Sequence, residues 1–453
     1  MEMEIAISLR VSIAEEGANL NEICAAVKEQ VRGELPARVG EIIIEGVQEN
    51  VRDRLTRPVG RSAKKGLGGH ECKGESGVRC RFRTFRREGF RTEPRRVKTD
   101  VGRLEFAVGY VGCCGCGKKL APILDVLDLR ERTGHSESLE AVVSEVVSQT
   151  SYQRGEAERE ARGSAPVAKS SSHRWIAGRG IPDSCPEGSV FAMADGTGFK
   201  KWPGERGDLR VVIGLNQGGK PRGLWVYAGE SWESIGQDIR AKLRASQVQL
   251  ELLTVNGEPG LDEHLAGVAA KGSQRCQWHL PRDLSYTLWK DGVGLEERKQ
   301  RSTDLADLLG IEIPAGEYET VSEEDKEALR ERVRTSEQEA LNLIAEFEEK
   351  GYAKGATYLQ NAFDRLFNHV KLWLETGVIA PRTTSILENM MRELGRRVKK
   401  LGWNWSDEGI VRIAKIILLR HYDREAWDSY WREALGLRNR CQIQILSLEW
   451  QLV

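Results

Sequence analysis

Between residues 188 and 280 the apolar residues fall into a pattern that leaves few folds open. Three short β-type runs, residues 190–194, 209–215 and 223–228, are separated by short Gly-containing connections, so they are expected to pair antiparallel as a meander. A helical stretch at 234–245 leads into a fourth strand at 250–255, and a second at 261–270 leads into the segment from Gln274 to Leu280. From 291 to 378 the pattern turns almost wholly helical. Part of it is strongly acidic, with 12 Asp and Glu against 5 Lys and Arg between residues 316 and 350. Helix resumes after Pro381. The expected fold class is therefore α/β, a mixed-sheet core interrupted by an all-helical insertion.

Three antiparallel strands followed by helix, strand, helix and strand is the order of the ribonuclease H-like fold. In that fold the first and fourth strands lie side by side, and acids near their ends converge. Asp195 follows the first run, and Glu388 lies on the helix after the insertion. The fourth strand ends on Asn256-Gly257, where a third carboxylate is expected. Phosphoryl transfer on DNA uses two divalent cations about 3.5–4 Å apart, held and charge-balanced by oxygen ligands. Asp195 and Glu388 are the candidate ligands for Mg²⁺ or Mn²⁺, with Asn256 at the remaining catalytic position. An Asn keeps an oxygen acceptor but loses the charge, so weak binding of one metal and low turnover are expected. Asp262 is the alternative second acid.

The N-terminal part differs in charge and cysteine content. Residues 51–100 hold 16 Lys and Arg against 6 Asp and Glu, and Phe82, Phe85 and Phe90 interleave with Arg81, Arg83, Arg86, Arg87 and Arg91. Basic residues interleaved with aromatics suit a DNA-contacting surface; a solvated linker is the plainer reading. Cys113 and Cys116 have the C-x2-C spacing of a zinc knuckle, with Cys72 and Cys80 as the nearest further ligands for a structural Zn²⁺. Nine cysteines, an odd number, argue against a disulfide framework. The expected divisions are a small α/β or helical segment at 1–57, a basic, cysteine-bearing region at 58–130 and a helical DNA-binding or linker region at 131–187. The core at 188–290, the insertion at 291–378 and the rest of the core with C-terminal helices at 379–453 complete them.

Phe191-Ala192-Met193-Ala194-Asp195-Gly196-Thr197, Thr254-Val255-Asn256-Gly257-Glu258-Pro259-Gly260-Leu261 and Gln274-Arg275-Cys276-Gln277-Trp278-His279 resemble the core of the Mutator-like prokaryotic insertion-sequence transposases. The family's Cys-x2-His signature matches Cys276 and His279. Its last motif, a Ser or Thr before an acid on a helix with basic residues following, matches residues 384–400, including Arg392, Arg396, Arg397 and Lys399. Trp403 lies in the next turn and is a candidate for stacking on DNA bases. The resemblance runs from about residue 188 to 430 and departs from the family at Asn256, where the family has Asp.

What the resemblance implies is a DDE transposase that binds the terminal inverted repeats of its insertion sequence, cleaves the ends and joins them to target DNA. A catalytically inactive DNA-binding protein derived from a transposase is the alternative. The expected partner is double-stranded DNA, on which the chain would act as a homo-oligomer. No run approaches the roughly 18 apolar residues of a membrane span, and Met1-Glu2-Met3-Glu4 lacks the features of a signal peptide, so the expected location is the cytoplasm, at the nucleoid.

Overall fold

A computed structural model of the chain describes residues 34–56, 85–129, 134–181, 183–184, 186–399 and 404–437, with residues 2, 3, 5, 441 and 443. Residues 6–33 of the expected 1–57 segment, residues 58–84 of the expected basic region, among them Cys72, Cys80, Arg81, Phe82 and Arg83, and Trp403 lie outside the described residues. The chain divides into two units, Met1–Ile176 and Ala177–Val453.

The first unit is built on a long helix, α1 (Glu34–Thr56), and five short strands: β1 (Phe85–Phe90), β2 (Arg95–Thr99), β3 (Gly102–Phe106), β4 (Gly109–Cys113) and β5 (Lys119–Leu120). β1, β4 and β5 form one antiparallel sheet, and β2 and β3 a separate hairpin. Ala37, Ile44 and Val47 of α1 pack on Val97, Leu104 and Phe106 of the hairpin. A buried amide fixes the register of this docking, since Gln48 donates to the Ala107 carbonyl at 3.0 Å and accepts from Gly109 N–H at 2.8 Å. Both halves of a buried amide are thereby satisfied.

Four helices follow: α2 (Pro122–Val126), α3 (Glu137–Val147), α4 (Tyr152–Ala161) and α5 (Lys169–Gly178). Serine caps begin α3 at Ser136 and α4 at Ser151, dividing the expected helical region at 131–187 into separate helices. The serine run at 170–172 lies inside α5.

In the second unit β6 (Phe191–Lys200), β7 (Arg206–Leu215) and β8 (Pro221–Ala228) form the antiparallel meander. α6 (Trp232–Ala245) leads to β9 (Leu252–Val255), α7 (Leu261–Leu265) and a 3-10 turn lead to β10 (Ser273–Arg275), and the sheet order is β10-β9-β6-β7-β8. β9 lies parallel to β6, and β10 parallel to β9. Ala192, Ala194, Leu253 and Val255 turn to one face and pack with Ile235, Ile239 and Leu243 of α6. β6 continues past Asp195 to Lys200, in register with β7 throughout, so Asp195 lies inside the strand rather than after it.

The excursion from the sheet starts with α8 (His279–Lys290) and α9 (Leu295–Leu309), and continues through α10 (Glu323–Glu349), α11 (Ala353–Gln360) and α12 (Asn368–Thr376). Leu280, Leu284 and Leu288 carry one face of α8 into a core with Leu305, Phe347, Phe367 and Trp373. Burying side chains of this size contributes roughly 1.5–3 kcal/mol each. The acidic residues of α10 lie outside that core, where Arg330 and Arg334 pair with Glu327 and Glu331 at helical spacing. Three helices close the unit: α13 (Ser385–Val398), which packs against β6, α14 (Asp407–Tyr422), which covers β8 and β7, and α15 (Arg424–Ala434).

α6 approaches α7 through a position that admits no side chain. A Cβ on Gly236 would lie 2.4 Å from the His264 carbonyl oxygen. Gly236→Ala is expected to destabilise the second unit by about 1–3 kcal/mol, the overpacking penalty outweighing the ~1 kcal/mol that Ala gains over Gly in a helix. Urea denaturation followed by circular dichroism measures it.

Candidate functional site

Strand alternation places Asp195 on the face of β6 opposite Ala192 and Ala194, away from α6. Its parallel neighbour β9 is in register up to Ala194 and Val255, which brings Asn256 beside Asp195. The Asn256 amide donates to Asp195 Oδ1, which also accepts from Gly196 N–H at 2.8 Å. The other end of that amide, Oδ1, accepts from Glu258 N–H at 2.9 Å. With both ends engaged, the side chain presents its NH₂ to Asp195.

The turn after β9 depends on Gly257, which has φ +88° and would collide with the Arg275 guanidinium if it carried a Cβ. This turn swings Glu258 back toward β6. Its carboxylate lies over Gly196, with Oε2 2.5 Å from where a Cβ there would sit. Trp232 Nε1 donates to Glu258 Oε1 at 3.0 Å, and Arg210 faces the same oxygen at 3.7 Å. Glu258 is thus a third carboxylate beside Asp195, two residues beyond the position where one is expected. The signal that could have found it is the Asn-Gly pair itself, whose turn reverses the chain.

Glu388, in the first turn of α13, is held by a neighbour from the start of α8: His279 Nε2 lies 2.9 Å from Glu388 Oε1. Burial and the positive charge of Arg282 depress the imidazole pKa to about 4. The contact is therefore a hydrogen bond donated by a neutral ring, which leaves Nδ1 as an acceptor. Cys276 Sγ and Thr384 Oγ1 each lie 3.3 Å from that nitrogen, and Thr384 N–H donates to Cys276 Sγ at 3.3 Å. The Cys-x2-His pair thus joins the end of β10 to the start of α13 and orients Glu388.

Asp195 is only 7 % exposed. Its burial, then the nearby charge of Glu388, and more weakly that of Glu258, push its carboxyl up to about 7, against the lowering effect of the Gly196 hydrogen bond and Arg282. Burial also raises Glu388, while Arg282 and Arg392 oppose the shift. A carboxyl that titrates near neutrality can exchange a proton in reaction. The same crowding of negative charge would be relieved by a bound cation.

The remaining candidates are dispersed. Asp262 is engaged by Arg365 and by Ser273 Oγ. Arg392, Arg396 and Lys399 are exposed, with Arg396 paired to Glu393 at 2.8 Å. Arg397 is buried, its guanidinium over the Trp405 ring, so it serves packing on α13 where a surface contact is expected. Cys113 is buried at the end of β4 and Cys116 is exposed in the turn that follows. Among the described residues no three His, Cys, Asp or Glu side chains converge tightly enough to enclose a metal ion. In the basic region Arg86, Arg87, Arg91 and Arg96 are exposed, although Arg87 pairs with Glu49 and Asp53, and Arg96 with Glu105.

A carboxyl raised from 3.8 to about 7 favours the folded state below its unfolded value and loses that contribution as pH rises through 7. Asp195→Asn keeps an oxygen for both hydrogen bonds and removes the charge. It is expected to raise the unfolding free energy at pH 8 by a few kcal/mol, on the order of 1.4 kcal/mol for each pKa unit of the shift, and to change it far less at pH 5. Urea midpoints of both proteins at the two pH values, without divalent cations, test this. No protein-family model matches the chain, and no curated protein matches it.

Proposed function

We propose that the chain is a DDE-type transposase of the Mutator-like insertion-sequence group with a ribonuclease H-like core, in which Asp195, Asn256 and Glu388 occupy the three catalytic positions. The observation that carries the reading is the meeting of Asp195 and Glu388. They come from opposite sides of the helical excursion and are close enough for Glu388 to raise the Asp195 pKa. A sheet ordered β10-β9-β6-β7-β8, in which β6, β7 and β8 are antiparallel and β9 and β10 parallel to β6, supports the ribonuclease H-like assignment. Arg91, exposed between β1 and β2, supports contact with DNA phosphates, whereas Arg86, Arg87 and Arg96 are paired with Glu88, Glu49 and Glu105.

The carboxylate oxygens of Asp195 and Glu388, crowded and partly buried, fit a hard divalent cation such as Mg²⁺ or Mn²⁺. Asn256 as placed does not, because its NH₂ faces Asp195 and its oxygen is taken by Glu258 N–H. Bound at such a site, the cation supplies charge stabilisation for phosphoryl transfer on DNA. The residues' own contribution is to orient Glu388 through His279 and to offer Asp195 as a buried carboxyl that would give up its proton when the cation binds. The fixed Asn256 amide favours a second reading, a DNA-binding protein derived from a transposase and lacking catalysis.

A supercoiled plasmid carrying the element's ends, incubated with Mg²⁺ or Mn²⁺, separates the two. Asn256→Asp is expected to cleave faster than the unaltered chain by on the order of 100-fold, the worth of one restored anionic ligand at about 3 kcal/mol, and Asp195→Asn not at all. End binding by both the unaltered chain and Asn256→Asp, with cleavage by neither, establishes the binding-only reading. Absence of end binding by either overturns both.

A further inference from the structure

The outward face of α8 is unusual for a surface helix. Three large aromatic side chains stand exposed on it or at its N-terminus: Trp278 at 51 %, Tyr286 at 58 % and Trp289 at 55 %. With a helical step of about 100° per residue, Trp278, Arg282, Tyr286, Trp289 and Lys290 fall within roughly a third of the circumference. Leu280, Leu284 and Leu288 occupy the opposite side, in the core of the excursion. The exposed residues are ordered among themselves. Arg282 stacks over Trp278 at 4.5 Å, Lys290 over Tyr286 at 4.5 Å, and Tyr286 and Trp289 are themselves stacked at 5.6 Å.

One end of this stripe lies near the carboxylates. Trp278 meets His279 edge-on at 4.8 Å, and Arg282 is close enough to lower the pKa of both Asp195 and Glu388. Flat rings that accept any base, alternating with cations that attract phosphate, are the components of a single-strand track. The rise of about 1.5 Å per residue gives ~18 Å from Trp278 to Lys290, room for roughly three to five nucleotides. The two cations on the stripe, Arg282 and Lys290, favour a polyanionic strand over a neutral apolar partner.

We propose that this face of α8 binds an unpaired DNA strand and leads it to Asp195 and Glu388. The proposal deepens the transposase reading and rests on it for the identity of the strand, but it is tested without cleavage. The probe is a fluorescein-labelled twelve-nucleotide oligothymidine, titrated with the full chain in EDTA and read by anisotropy, with a duplex of equal length measured in parallel. Trp278→Ala and Tyr286→Ala are each expected to weaken oligothymidine binding by about tenfold. Tyr286→Phe is expected to leave it unchanged, and duplex binding is expected to change little in any variant. Unfolding midpoints equal to that of the unaltered chain exclude loss of structure. Unchanged oligothymidine affinity in both alanine variants overturns the proposal, as does an equal loss for duplex and single strand. An altered oligomeric state with affinity retained also overturns it and makes the stripe a contact between copies. Single-strand binding that depends on the stripe in a protein that never cleaves leaves this inference standing while the catalytic reading fails. Cleavage without such dependence does the reverse.

Discussion

The candidate site depends on the join between Cys276, His279, Thr384 and Glu388. Between the end of β10 and the start of α13 the chain makes an excursion of five helices with a core of its own, so the entry and exit of that excursion need to be fixed for Glu388 to reach β6 at all. A neutral imidazole does this with both nitrogens, one donating to the carboxylate and the other accepting from the thiol or hydroxyl side. Gln274 strengthens the same join, since its amide donates to the Leu366 carbonyl at 2.9 Å and accepts from His369 N–H at 3.0 Å. Buried polar groups that are fully paired rigidify the elements they connect.

From this join follows the electrostatic character of the site. Burial disfavours charge on Asp195 and Glu388 alike, and the charge of Glu388 adds to the upward shift of Asp195. Arg282 and Arg392 offset part of the excess from the exposed side. Asn256 contributes by donation, placing amide hydrogens against the oxygen that carries most of the burden. The result is a carboxylate group held together by hydrogen-bond donors.

Much of the second unit is legible in the sequence because its strands and helices differ in period. The meander, the fourth strand and the helical excursion all follow from where apolar residues alternate and where they recur every third or fourth position. The placement of Asp195 beside the residue after β9 follows from strand order. What local pattern cannot carry is the path of a turn. Glu258 reaches Asp195 because Gly257 takes φ +88° under Arg275, a residue distant from it in sequence, and Gly196 leaves the space. Asp262, on the other hand, is drawn off by Arg365 from within the excursion. Arg397 looks like its basic neighbours in sequence, and only the tertiary position of Trp405 turns it inward. In the first unit the acids that neutralise Arg87 lie on α1, far from it along the chain, so a count of charges in one segment overstates the exposed positive surface.

The Asn256 amide has a consequence for how such a chain can change over time. By donating to Asp195 it does part of the work of a cation, and a fold that contains it is less dependent on metal for its integrity than one with three carboxylates at that point. Asparagine and aspartate codons differ by a single nucleotide, so the step to a carboxylate is short in sequence. It is steeper in energy, because a carboxylate at that place loses a donor and gains a repulsion wherever cations are scarce. The amide thus favours the folded state wherever cations are scarce.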